Sequence, residues 1–239
     1  MTSIFQSQHI DKDFISFQKA LALTNEFKFK ITEQNKPTFK KYHRLTYVIA
    51  LFESKVENEW REDNKFLFLN EILSDLLSNS SLCLIGFYHS SQIIIRRLLE
   101  NFYNHIYYFD HPVEFALLNL GRNDYTPIID LKNYLESHPL IKSSNDKNIK
   151  VFNNQLFQHY HELCRTAHTK GEGFMGLAKN LEEIKPEFEL TSHIDLINKS
   201  LQSIVYLLYK FHRDLIFTHI ETDIISKSFQ KSLRGELLS

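Results

Sequence analysis

Cysteine is nearly missing from this chain: there are two in 239 residues, Cys83 and Cys164, far apart. Such a pair makes no disulfide framework and no Cys-x-x-Cys metal knuckle, and a reducing cytoplasm is the simplest setting. Glycine and proline are scarce as well, at 6 and 5. That argues against a turn-dense fold and leaves long unpunctuated segments that favour helices. An excess of charge is missing too: 28 Lys and Arg meet 29 Asp and Glu, so no global electrostatic footprint for nucleic acid exists. The apolar runs near residues 82–109 and 201–220 are broken by Arg96, Arg97 and Glu100, and by Lys210, Arg213 and Asp214. Charges at mid-span exclude both as membrane spans. The opening MTSIFQSQHIDKD has no basic region leading into an apolar run, so no signal peptide is expected. Serine-nucleophile motifs, glycine-rich phosphate loops and paired-carboxylate patterns do not occur, and no cofactor is expected.

What is present is an ordinary globular balance, 43% hydrophobic and 24% charged, enriched in Phe (20) and Tyr (11). The length suits one domain, with residues 1–36 as an N-terminal helix and arm and 37–239 as a bundle. The expected fold is an all-α helical bundle with a long central buried helix.

Apolar residues recur at helical spacing along most of the chain. Phe14, Phe17 and Leu21 mark a first helix over 13–24. FKFKIT (27–32) alternates at period two and reads as the one short extended segment. Pro37 then opens a helix carrying Phe39, Tyr42, Leu45, Ile49, Phe52, Val56 and Trp60. A third helix covers 65–78, and the Asn79-Ser80-Ser81 cluster reads as a break. The central helix follows, LIGFYHSSQIIIRRLLENFYNHIYYF (84–109), with apolar groups on all faces. Gly121 caps a short helix from Pro112, Thr126-Pro127 starts another, and KSSNDK (142–147) reads as an exposed loop. A helix over 148–169 precedes the glycine-rich 171–176, Thr191-Ser192 caps a long helix through Ile204, Leu208, Phe211 and Leu215, and a final helix runs from about Thr222. Val205, Ile216 and Ile220 lie off that stripe, which predicts a protein partner or a second copy on the same helix.

Four groups of residues are candidates for function. On the central helix, Arg96, Arg97, Glu100, Asn101, Asn104 and His105 are polar groups amid apolar ones, and buried polar groups need partners. They form either a structural network that fixes packing or a phosphate- or base-contacting pocket on Arg97 and the two Asn. His161, Cys164 and His168 share one side of a helix, but no further His/Cys cluster completes a metal site, and none is expected. RDLIFTH (213–219) offers Arg213 and His219 as an acid–base pair, although positions six apart lie roughly 120° from alignment on a helix. Lastly, Lys28, Lys30, Lys36, Lys40, Lys41 and Arg44 form a basic arm, interleaved with Phe27, Phe29, Phe39 and Tyr42. Aromatic faces beside cations suit RNA or DNA, as they also suit a solvated helix flank.

IIIRRLLENFYNHIYYFDHPVEF (93–115), followed by YHELCRTAH (160–168), resembles the helical HEPN-like proteins of bacterial defence and abortive-infection loci. The resemblance rests on an R-x-x-x-E pattern at Arg96–Glu100, and on Tyr160, Leu163 and His168 in the later helix. It runs over roughly residues 65–220 and implies an all-helical bundle, often dimeric, cleaving RNA or serving beside an ATPase or nuclease. In that family an Arg followed by a His acts on the RNA phosphate and 2′-hydroxyl, and here only Arg213 and His219 answer to it. The expected role is a non-catalytic, cytoplasmic subunit of a phage-defence or stress-response complex, bound to a larger partner and touching nucleic acid. The alternative is a HEPN-like, metal-independent ribonuclease toxin.

Overall fold

The computed structural model describes residues 10–23, 31–59, 66–122, 126–144, 146–168, 190–218 and 228–229. The helices, in chain order, are α1 (Ile10–Leu23), α2 (Lys36–Glu59), α3 (Leu67–Ile85), α4 (Tyr88–Asp110) and α5 (Pro112–Asn119). They continue as α6 (Ile128–Ser137), α7 (Pro139–Ser143), α8 (Lys147–Ala167), α9 (Leu190–Phe211) and α10 (Arg213–Thr218). The fold is all-α, with no strand among the described residues. Most of the expected extended segment, residues 27–30, lies outside them, and Ile31 packs against the core.

The expected break at Asn79-Ser80-Ser81 does not occur; α3 runs through it to Ile85. Polar side chains favour breaks because they compete for backbone groups, but here each finds a partner that leaves the helix intact. The Ser80 hydroxyl donates to the Leu77 carbonyl at 2.7 Å, and the Asn79 amide donates to the Tyr42 hydroxyl on α2. The helix stops instead at Gly86, whose φ of +84° only glycine adopts cheaply. The Gly86 N–H reaches the Cys83 carbonyl and the Phe87 N–H the Leu82 carbonyl, a Schellman closure. Gly121, with φ +64°, ends α5 by the same pair of bonds, to Leu118 and Leu117.

Burial on every side belongs to α9 more than to α4. Ser90, Ile93 and Arg97 on α4 face solvent, and its burial becomes nearly complete only beyond Leu98. In α9 every residue from Ser200 to Leu208 is buried, because α2, α3, α4, α7, α8 and α10 all pack around it. Val205 and Ile216, expected to form an outward apolar face, are fully buried in this core. Ile216 lies on α10, a separate helix after His212, and both residues join the core, so that argument for a partner fails; Ile220 lies outside the described residues. No helix of the described residues is long and apolar enough to cross a membrane.

Candidate functional site

The polar residues of α4 do not form one network. Successive helix positions rotate by about 100°, so neighbours in sequence meet different helices. Arg96 pairs with Glu100 on its own helix at 2.8 Å and turns to α8, where it donates to the Tyr160 hydroxyl and the Cys164 sulfur, both at 3.3 Å. Tyr160 closes the loop by donating to Glu100 at 2.9 Å. Arg97 turns to α3 and pairs with Asp75, which also accepts from the Asn101 amide at 3.2 Å. Arg97 was expected inside, yet its side chain is 51% exposed while Asp75 is 0% exposed. The interior member of this pair is therefore the acid, and the long arginine side chain reaches in from the surface. Asn104 is half-buried, and His105 faces neither group.

His105 instead meets His212, at the end of α9, with the two Nε2 atoms 2.8 Å apart. One nitrogen must carry the proton and the other the lone pair, so the two Nε2 atoms cannot both be protonated. Phe52, Phe66, Phe109 and Phe211 surround the rings, and burial holds the His212 pKa well below its usual value. This is a tightly fitted core contact with no path to solvent.

A serine and a histidine meet in a second buried cluster. Ser91 Oγ lies 2.7 Å from His193 Nε2, and its hydroxyl donates to Asn79 Oδ1 at 2.5 Å. With its one proton directed at Asn79, the hydroxyl can only accept from His193, whose Nε2 must carry the hydrogen. That is the reverse of a nucleophile activated by a base. Burial lowers the His193 pKa to about 4 and pushes the adjacent Cys83 thiol up to about 12. Both groups are neutral and structural. The neighbouring cavity, about 10 Å³ between α4, α8 and α9, has room for one water beside Gln92, whose side-chain oxygen has no partner.

The remaining candidates are placed as follows. Of the basic arm, Lys28 and Lys30 lie outside the described residues. Lys36 pairs with Glu33 at 3.0 Å, and Lys40 and Arg44 pair with Asp11 on α1 at 2.9 and 3.4 Å. Lys41 is half-buried. Beneath them His43 Nε2 contacts the buried Asp13 carboxylate at 2.9 Å. These contacts dock α1 onto α2 and use up much of the positive field the arm was expected to offer. Arg213 stands exposed at the start of α10, and His219 lies outside the described residues. His161 and His168 are exposed at the α8 surface, and no cluster of three metal-binding side chains occurs among the described residues.

Two features were not read from the sequence. Asp75, the hidden acid of α3, sits amid Ile72, Leu73 and Leu76, and a lone carboxylate in such a stripe was its signal. The other is α5, which turns its apolar face outward. Phe115 anchors it against Phe68 and Tyr108, while Val113 and Leu120 are 67% and 64% exposed with Leu117 between them. Comparison with known protein families, with curated proteins and with solved structures finds no match to this chain.

Proposed function

We propose that this chain is a non-catalytic helical subunit of a bacterial phage-defence or stress-response complex, docking onto a larger ATPase or nuclease. The observation that carries the binding role is the outward stripe of α5. Val113, Leu117 and Leu120 follow one another at i, i+4 and i+7, so they form one continuous apolar strip. Apolar strips left in water mark interaction surfaces more often than they mark accidents of folding. The defence setting comes from the resemblance of residues 93–115 and 160–168 to HEPN-like proteins. The ionisable groups described above favour a passive role, because Arg96, Arg97, Ser91, His105 and His193 each have internal partners.

The test is co-expression with the adjacent operon genes and purification through a tag on this chain. An ATPase or nuclease encoded there should co-purify with the wild type and be lost from Leu117→Asp. A monomeric chain that captures neither would end the reading; a homodimer dispersed by Leu117→Asp would replace the partner by a second copy. The ribonuclease reading keeps one supporting observation, the exposed guanidinium of Arg213. RNA cleavage by the purified chain that vanishes in His219→Ala would install it instead.

A further inference from the structure

A groove of about 310 Å³ opens where α6, α7 and the start of α8 meet. Its apolar floor is Ile141 and Ile149, both buried, and Lys142, Lys147 and Lys150 stand exposed around it. Two acids also line it, and both are neutralised from behind. Glu136 receives Lys132 Nζ at 2.6 Å and the Asn153 amide at 3.1 Å. Asp146 receives Lys210 Nζ at 2.7 Å, the Tyr206 hydroxyl, and the Asn148 backbone N–H at 3.0 Å. No side-chain hydrogen bond or ion pair among the described residues engages Lys142, Lys147 or Lys150. Each acid cancels one cation of its own, and three positive charges remain facing one groove.

The position of two of those charges is itself unfavourable. Lys147 and Lys150 occupy the first turn of α8, a 21-residue helix with no acid in that turn. Its amino end carries the positive pole of the helix dipole, which repels ammonium groups. The N-cap carboxylate of Asp146, bonded to the Asn148 N–H, offsets part of that pole, and a bound anion would in addition interact with all three lysines. We infer that this corner binds phosphate groups carried by a nucleotide or a polynucleotide strand. Three cations converging on one opening match a multiply charged group better than a single carboxylate, and lysine binds phosphate as a point charge. The volume is at the small end of ligand sites, and the isoleucine floor offers a surface for a sugar or base. The site is independent of the α5 stripe, and it differs from the basic arm in leaving its lysines open.

The experiment is fluorescence anisotropy of the full chain with a labelled 20-nucleotide single-stranded RNA, with ATP, pyrophosphate and polyglutamate as competitors. Affinity should fall with salt, with a log–log slope of about −2 for three phosphates neutralised on a single strand. Lys142→Glu/Lys147→Glu/Lys150→Glu should weaken binding at least tenfold and flatten that slope. Lys36→Glu/Lys40→Glu should change it less than twofold. Acids suit the start of α8 but not the last turn of α7, so the melting temperature of the triple variant is measured alongside, and Lys147→Glu/Lys150→Glu, which should melt no lower than wild type, should still weaken binding severalfold. Competition by ATP or pyrophosphate at concentrations comparable to the RNA assigns the site to free nucleotides; competition by strands alone assigns it to polynucleotides. Unaltered affinity in the triple variant, or no binding of RNA or ATP at low salt, overturns the site. Polyglutamate competing as well as RNA overturns its assignment to phosphate.

Discussion

The α1–α2 edge and the α7–α8 corner are both rich in lysine, and they differ in what the rest of the chain brings to them. At the edge, Asp11 and Asp13 arrive from a separate helix, α1, and meet Lys40, Arg44 and His43. At the corner, the two acids that line the groove are already held by Lys132, Lys210 and Tyr206, and the surface lysines stay open. Equal densities of positive charge in a sequence thus give a docking seam in one place and an electropositive groove in the other. What decides is the count of acids supplied from elsewhere in the chain.

The sharpest test of that rule is a buried acid deprived of its cation. Arg97→Ala leaves Asp75 fully buried with only Asn101 beside it, and should cost about 3–5 kcal/mol in urea unfolding. A loss under about 1 kcal/mol would show that Asp75 is neutral or reached by water.

Asp13→Ala breaks the edge directly. Burial pushes the His43 pKa down, and the Asp13 carboxylate offsets only part of that, so the histidine is neutral at pH 7. The variant therefore strands a neutral group rather than a cation, and should cost roughly 1–3 kcal/mol by thermal or urea denaturation.

Acid should loosen the interior in a graded way. His43, His193 and His212 all have folded-state pKa values below the usual 6.5, chiefly through burial. Their stabilising contribution is full above 6.5 and is lost as pH falls through that value towards the folded pKa, about 4 for His193. Within that window each histidine adds a slope of up to about 1.4 kcal/mol per pH unit. His193→Gln should flatten the urea-unfolding profile between pH 6.5 and 4 relative to wild type; an unchanged slope would remove His193 from the account.

The smallest effects belong to the surface. Lys40→Ala removes an exposed pair and should change stability by less than about 1 kcal/mol. Lys150→Glu replaces a repelled charge at the start of α8 and should raise the melting temperature slightly. A lower melting temperature for Lys150→Glu would mean that the corner's lysines are held by contacts of their own.

Much of the fold was legible because helices announce themselves by period. Phe39, Tyr42, Leu45, Ile49, Phe52 and Val56, read at three- and four-residue steps, are all core residues of α2. The boundaries at Pro37 and Gly121 followed from backbone chemistry that acts locally. What local reasoning missed depended on distant partners. The Asn79-Ser80-Ser81 cluster reads as a break until Tyr42 is known to accept from Asn79. Arg97 reads as buried until the hidden acid on α3 is placed beneath it. The six polar groups of α4 were recognised as needing partners, but the partners lie 22 to 107 residues away for Arg97 and His105. Val205 and Ile216 read as a surplus face because the number of helices around α9 is a property of the whole bundle.

The closure at Gly86 has a bearing on the order in which the bundle assembles. It joins α3 and α4 through two residues, Gly86 and Phe87, and these two helices share the most extensive pairing among the described residues. Contacts that close short loops carry little entropic penalty and form fast. The α2–α9 pairing, exemplified by Asn198 reaching the Thr38 carbonyl across 160 residues, closes a far longer loop. The α3–α4 hairpin is thereby suited to nucleate folding, with α9 entering late as the element that seals the core. In kinetic terms, substitutions that weaken the Gly86 turn should slow refolding, whereas substitutions within α9 should chiefly hasten unfolding.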